Sequence, residues 1–288
     1  MPTLYVVATP IGNLGDMTPR AIETLKSVAL IAAEDTRVTR KLLSVFGIQT
    51  PLTSCHEHNE RDKAAQIVQR MLAEEIDVAV TTDAGTPCIS DPGSVLVAEA
   101  ARANVEVVAV AGPTAMAAAL SVSGIELSEF TFCGFLPRQR GELQKKLLEL
   151  ASRTQVVVAH ESPHRVAALL ESVLEVLPNT YVSASCDLTK RYELTLRGTV
   201  SEVLAQIQKN PKADKGEYCL VFQWHDTVAV ATQAEKPSLE ARLFEHVLSG
   251  STLRAAMDAL TAGGERKNAV YAAGLRVKAL LWEDEIDG

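Results

Sequence analysis

The 288-residue sequence is poor in aromatic side chains, 5% in all with two tryptophans, and its five cysteines contain no C-x-x-C pair. Cys55, Cys88, Cys133, Cys186 and Cys219 are odd in number and widely spaced, which argues against a disulfide framework or a zinc cluster. Buried thiols and no bound metal are the expectation. No run approaches the roughly 18 uninterrupted apolar residues of a membrane span. Met1 leads directly into the strand-like Leu4–Ala8 with no basic lead, so a cytoplasmic protein without a membrane partner is expected. Positive charge is also scarce: 28 Lys+Arg stand against 36 Asp+Glu, a net charge of −8. That balance excludes a chain-wide basic coat for polyanions, and no DNA partner is expected; any nucleic-acid site has to be local.

What charge there is lies unevenly. Residues 1–125 carry 9 basic and 14 acidic groups, 126–234 carry 12 and 13, and 235–288 carry 7 and 9. The middle segment is nearest to neutral and holds Arg138/Arg140, Lys145/Lys146, Lys190/Arg191 and Lys209/Lys212/Lys215, so a polyanion would meet the protein there.

Short β-branched runs alternate with helix-period stretches, which is the rhythm of an α/β fold with a mostly parallel sheet. The strands expected first are Leu4–Ala8, Ala29–Ala33, Asp77–Thr82 and Val105–Val110, with Thr18-Pro19 opening a helix and an Ala-rich helix from about Thr114. After a pause at Gly124–Ser128 come strands at Phe130–Phe135, Val156–His160, Tyr181–Cys186, Leu194–Gly198 and Glu217–Trp224, a second α/β layer whose sheet is expected to be mixed. The expected domains are 1–124, 125–226 and, after a linker ending at Pro237, a helical module over 238–288. In that module Ser251 is expected to cap the second of three helices, and Gly263-Gly264 to separate it from the third. Such a trio resembles a nucleic-acid-binding module, but a generic helical cap looks the same and is the favoured reading, since the stretch holds few cations beyond Arg266, Lys267, Arg276 and Lys278.

In open α/β sheets ligands bind beyond the carboxyl ends of strands, and four loops there are unusual. Thr9–Asp16 is a Pro/Gly turn lacking both G-x-G-x-x-G and a phosphate-binding lysine. Glu34-Asp35-Thr36-Arg37 gathers two carboxylates, a hydroxyl and a guanidinium, or is simply a capped helix N-terminus. Asp83–Gly93 holds two prolines, two glycines and two aspartates in eleven residues, which makes it shaped and acidic. Ala111–Met116 joins a strand to a helix through small residues, leaving room for a flat ring. The four loops contain no lysine and only Arg37, which argues against a triphosphate and for a ligand neutral or cationic at its reactive end.

TPIGNLGDMTPRA (9–21), AEDTR (33–37), DAGTPCISDPG (83–93), GPTA (112–115), GFLPR (134–138), HESPHR (160–165) and DLTK (187–190), in this order, resemble one family. It is the ribosomal small-subunit RNA 2′-O-methyltransferase branch of the tetrapyrrole-methylase superfamily. The resemblance runs from Leu4 to about Phe222 and more weakly into the C-terminal helices. It implies two α/β domains with S-adenosylmethionine in the cleft between them, commonly as a homodimer. The implied reaction is methyl transfer to the ribose 2′-hydroxyl of a cytidine in the decoding region of 16S rRNA, within the small ribosomal subunit or on free RNA. Carried over by position, Gly12 and Asn13 line the cleft, Asp83, Ala84, Gly85 and Thr86 face the methionine half, Thr114 and Ala115 face the cofactor from the next strand, and Leu188 lies near adenine. Arg138, Arg140, Lys190 and Lys267 are the expected RNA contacts. The chain departs from the branch at Cys186-Asp187, where Arg-Glu is usual, at Ala111 for proline, at Gln139 for lysine, and after Lys267-Asn268, where only Tyr271 remains of the expected partners.

A ribose hydroxyl is a weak nucleophile that a proton acceptor would help. The candidates are Glu34, Asp35, the cluster Cys55-His56-Glu57-His58-Asn59, Glu161 with His164, and Lys190. The cluster also reads as polar loop residues or, lacking a third ligand at the usual spacing, as an incomplete metal site. A small-molecule methyltransferase of the same superfamily, or a binding protein without turnover, stands as the alternative.

Overall fold

The computed structural model describes residues 1–126, 128–225 and 238–282; the linker expected after Trp224 falls largely outside the described residues, as does 283–288 of the C-terminal module. In the first half the chain forms β1 (Thr3–Val7), α1 (Pro19–Ser27), β2 (Leu30–Ala33), α2 (Thr36–Val45), β3 (Leu52–Ser54), α3 (Glu60–Glu74), β4 (Val78–Thr81), α4 (Ser94–Arg102), β5 (Glu106–Val110) and α5 (Ala115–Ser121). The strands lie in the order β3-β2-β4-β1-β5, and every pairing is parallel. β2 and β4 are buried along their whole length, as the continuous apolar runs LIAA and VAVT require of strands covered on both faces. β3 is absent from the sequence reading: at three residues it shows no periodicity, and only its pairing with β2 makes it a strand.

The second half forms β6 (Thr131–Phe135), α6 (Arg140–Ala151), β7 (Val156–Glu161), α7 (Val166–Val176), β8 (Thr180–Cys186), β9 (Leu194–Thr199), α8 (Val200–Lys209) and β10 (Tyr218–Trp224). The order is β6-β7-β10-β8-β9, with β6 and β7 parallel and the remaining pairs antiparallel, the mixed sheet that was expected. Its main core packs Leu147, Leu169, Leu170, Leu220 and Phe222 under α6, α7 and α8. The other face is covered from the first half of the chain: Ala119 of α5 packs with Val156, Val158, Cys219 and Val221, and Ile11 and Ala115 lie against the same cluster. Both sheets accordingly belong to one compact unit.

Helices α9 (Leu239–Leu248), α10 (Leu253–Ala262) and α11 (Lys267–Trp282) form a separate unit around Leu243, Ala256, Leu260, Val270, Ala273 and Val277. Thr252 rather than Ser251 caps α10, its Oγ1 accepting from Ala255 N at 3.3 Å. Ser251 instead donates its backbone N–H to His246 O and so belongs to the end of α9. Among the described residues no helix is long and apolar enough to cross a membrane.

Candidate active site

Strand order decides which loops meet. β2, β4, β1 and β5 are consecutive neighbours and parallel, so the loops after them emerge side by side at one edge. The second sheet brings its own edge to the same place: Phe135 pairs with His160, His160 with Cys219, and Tyr218 with both Glu161 and Cys186. Between them lies a cleft of about 320 Å³, walled by Ile11, Ala84–Thr86 and Ile89–Asp91, by Thr114 and Ala115, and by Phe135, His160–Pro163, Leu188 and Glu217–Cys219. Its lining includes the carboxylates Asp91, Glu161 and Glu217 and neither a lysine nor an arginine.

The loop walls are held rigidly. Thr9 and Gly85 exchange two backbone hydrogen bonds (2.9 and 3.0 Å), with Gly85 at φ +84°, a conformation that glycine adopts without cost. Thr86 Oγ1 donates to Pro113 O at 3.2 Å, linking the loops after β4 and β5. The far end of Asp83–Gly93 depends on a residue with no motif around it. Helix α4 begins after Gly93 with no capping side chain of its own, and buried Glu60 of α3 accepts from Gly93 N (2.7 Å) and Val95 N (3.0 Å) in its place. Asp91 has its carboxyl pushed up by burial first, and further by Asp83 and Glu217.

On the other wall, His160 is held below its ordinary range by burial, so its imidazole is neutral at pH 7. Glu161 is buried; its Oε1 accepts from Ser162 N at 2.7 Å, while Oε2 has no hydrogen bond and stands 3.3 Å from the Arg165 guanidinium. Arg165 also donates to Pro137 O (3.1 Å) and so ties this wall to the loop after β6. The turn carrying Leu188 is strained, with Asp187 at φ +52° and Thr189 at φ +65°. Thr189 is held at both ends: its N–H donates to Glu193 (2.6 Å) and its Oγ1 accepts from Asn13 N (3.1 Å).

Of the residues singled out in the sequence, Ala84, Gly85, Thr86, Thr114, Ala115, Glu161 and Leu188 border the cleft. Gly12 and Asn13 do not; their neighbour Ile11 does. A Cβ on Gly12 would lie 2.5 Å from Lys190 Cγ, so this glycine lets two protein loops approach one another. Gly112, in the loop expected to leave room for a ring, is likewise filled by Ala8, whose Cβ would stand 2.8 Å away. Asp83 is exposed and outside the lining; it accepts from Asp35 N and donates its own N–H to Glu34, both at 3.2 Å, clamping two loops together. Burial comes first in raising both Glu34 and Asp83, whereas Asp35, paired with Arg37 at the start of α2, is held low. His164 is exposed beyond the cleft, and none of Cys55–Asn59 lines it.

The expected RNA contacts divide in the same way. Lys190 is engaged by Asp187 (2.8 Å) and Glu217 (3.1 Å); burial lowers its pKa, and the two carboxylates more than offset this, so that it is raised on balance. Arg140 pairs with Glu175. Arg138 and Lys267 are exposed and form no ion pair among the described residues. Two cations that received less weight stand out: Arg191 and Lys212 flank the ring of exposed Tyr192, at 5.6 and 5.4 Å from its centroid, and neither has a carboxylate partner among the described residues. His160 and Phe135, also missed, sit at strand ends inside blocks that were noticed; the signal for them was position at the sheet edge.

Comparison with known proteins bears on this site. Residues 3–204 match the family described as Tetrapyrrole (Corrin/Porphyrin) Methylases. A protein of Xylella fastidiosa (strain Temecula1) named ribosomal RNA small subunit methyltransferase I is 40% identical over 89% of this chain and 94% of its own length. Proteins of the same name from Synechocystis and Bacillus subtilis are each 44% identical, over 83% and 77% of this chain and 82% and 75% of theirs. The crystal structure of uroporphyrin-III-C-methyltransferase from Thermus thermophilus shares the fold, with a TM-score of 0.53 at 18% identity over 77% of this chain and 94% of that one. The chain therefore belongs to the tetrapyrrole methylase family, in the branch of the proteins named ribosomal RNA small subunit methyltransferase I.

Proposed function

We propose that this protein transfers a methyl group from S-adenosylmethionine to the ribose 2′-hydroxyl of a cytidine in the decoding region of 16S rRNA, and that it acts as a homodimer. The observation that carries the reading is the charge of the cleft: three carboxylates and no Lys or Arg in the lining suit a ligand bearing cationic sulfur and an ammonium, and suit a phosphate poorly. Of these three, buried Glu161 has an Oε2 that makes no hydrogen bond and lies 3.3 Å from Arg165. The names of the relatives supply the polymer, since each is called a ribosomal RNA methyltransferase.

When bound, S-adenosylmethionine supplies a methyl group on a sulfonium that a nucleophile displaces in line. Ala84–Thr86, Thr114, Ala115 and Leu188 would hold it, with small side chains and backbone groups facing the cleft. The protein's chief work is to fix the 2′-oxygen at the right distance and angle, and the loops braced by Thr9–Gly85 and Thr86–Pro113 are built for such positioning. As the new bond forms, the hydroxyl proton leaves. Neutral His160 is the lining group suited to take it, while Glu161 keeps Ser162 and Arg165 in place. Glu34, Asp35, His164 and Lys190 lie outside the lining, and this reading gives them no role in the step. Outside the cleft, Arg138, Arg191, Lys212 and Lys267 are among the cations with no ion-pair partner in the described residues and can meet phosphate.

The test is transfer of labelled methyl to small ribosomal subunits and to naked 16S rRNA lacking the modification, followed by nucleotide mapping. Label at a cytidine 2′-oxygen is the expected result. Absence of label on both substrates, with S-adenosylmethionine still bound, moves the assignment to a small-molecule acceptor.

A further inference from the structure

β6 is irregular where it reaches the cleft. Thr131 and Phe132 pair with Val157 and Val158, but the next partner of β7, His160, is met by Phe135, so three residues of β6 advance against two of β7. Gly134 takes up the extra residue at φ +59°; an added Cβ would meet nothing within 4 Å, so glycine is required there by backbone conformation and not by space. The bulge re-aims the next side chain. Phe135 is 63% exposed while bordering the cleft, and His160 backs it at 5.9 Å between ring centroids, itself packed on Phe132 at 5.2 Å.

An aromatic ring kept in water at the mouth of a cleft, on a strand bent to present it, is a surface awaiting a flat partner. The cleft is the space assigned above to S-adenosylmethionine and has no cation in its lining to hold phosphate, so the reacting nucleotide would be received at its mouth, beside Phe135. A nucleotide that enters must leave its own stack and lose the stacking energy it had there. Stacking on a protein aromatic replaces that loss and tolerates any base, since every base has a π-face.

We propose that Phe135 is the platform of a nucleobase subsite, on which the base of the nucleotide being methylated is laid once it has left the RNA stack. The subsite rests on the reading of the substrate as ribosomal RNA.

The experiment compares full-length wild type with Phe135→Ala, Phe135→Leu and Phe135→Trp, using unmodified small subunits as methyl acceptor and calorimetry for S-adenosylmethionine. Because Phe135 is exposed, the substitutions spare the core, and thermal melting confirms folding. Phe135→Ala is expected to raise KM for the subunit about tenfold or more, with cofactor affinity within about twofold of wild type. Trp should restore KM, and Leu, which has bulk but no π-face, should not. Unchanged kinetics in Phe135→Ala, or rescue by Leu as complete as by Trp, would overturn the subsite. A parallel loss of cofactor affinity would assign the ring to the adenine of S-adenosylmethionine and overturn it equally. If wild type labels no ribosomal RNA at all, the substrate reading fails and the subsite with it, a result distinct from an active wild type indifferent to Phe135.

Discussion

Asp91 and Glu60 show how much depends on where a carboxylate is placed. Asp91, in the cleft wall, takes up its proton above the 3.8 of an ordinary aspartate because burial, Asp83 and Glu217 all disfavour its charge. Only the ionised form attracts a cationic ligand. Affinity for S-adenosylmethionine should therefore fall as the pH drops through this raised pKa, and Asp91→Asn should bind more weakly at neutral pH with a flatter pH profile; calorimetry across a pH series reads both. Glu60 carries no motif, yet it supplies the cap that α4 lacks, through two backbone N–H groups. Glu60→Leu should cost about 2–3 kcal/mol in denaturant unfolding, because the bonds lost are charge-assisted and leave one buried and one partly buried donor without a partner. Glu60→Gln, which keeps the acceptor oxygen, should cost less. His160 and Phe135 were legible as members of strand-end blocks, but their presence in the cleft depends on pairings with Cys219 and with each other.

At the scale of elements, most boundaries follow from local signals. Thr18 caps α1 by accepting from Ala21 N, Pro19 fills its first position, and Asp35 caps α2, all legible because a cap is a contact between near neighbours. The turn after β8 is different. Its DLTK block marks it as a site, and its lysine is paired with Asp187 and with Glu217, 27 residues away, a pairing between distant segments that the block does not show. Arg191 and Lys212, beside Tyr192, have no carboxylate partner among the described residues. Replacing both by alanine should weaken RNA binding and reduce the slope of log affinity against log salt by about 1.4, some 0.7 for each phosphate contact on single strands. Lys190→Ala should change that slope much less, and fluorescence titration over a salt series separates the two.

For the whole molecule, every residue lining the cleft lies between Ile11 and Cys219, in the unit that holds both sheets, while α9–α11 form a unit with its own core. A chain ending after Val228 should thus retain S-adenosylmethionine affinity within about twofold by calorimetry, and should lose affinity for small subunits if exposed Lys267 at the start of α11 meets RNA. The sequence by itself determined the α/β rhythm, the caps of α1 and α2, the second sheet's mixed character and the family, because these reside in periodicity, near-neighbour contacts and ordered motifs. It also determined the acidity of the cleft loops, a matter of composition. Only the tertiary structure decided that four loops from β2, β4, β1 and β5 stand together, since that follows from strand order. The same holds for which charges are spent on one another and which aromatic is turned outward: ion pairs between distant segments and a single bulge are products of packing, and no local pattern encodes them.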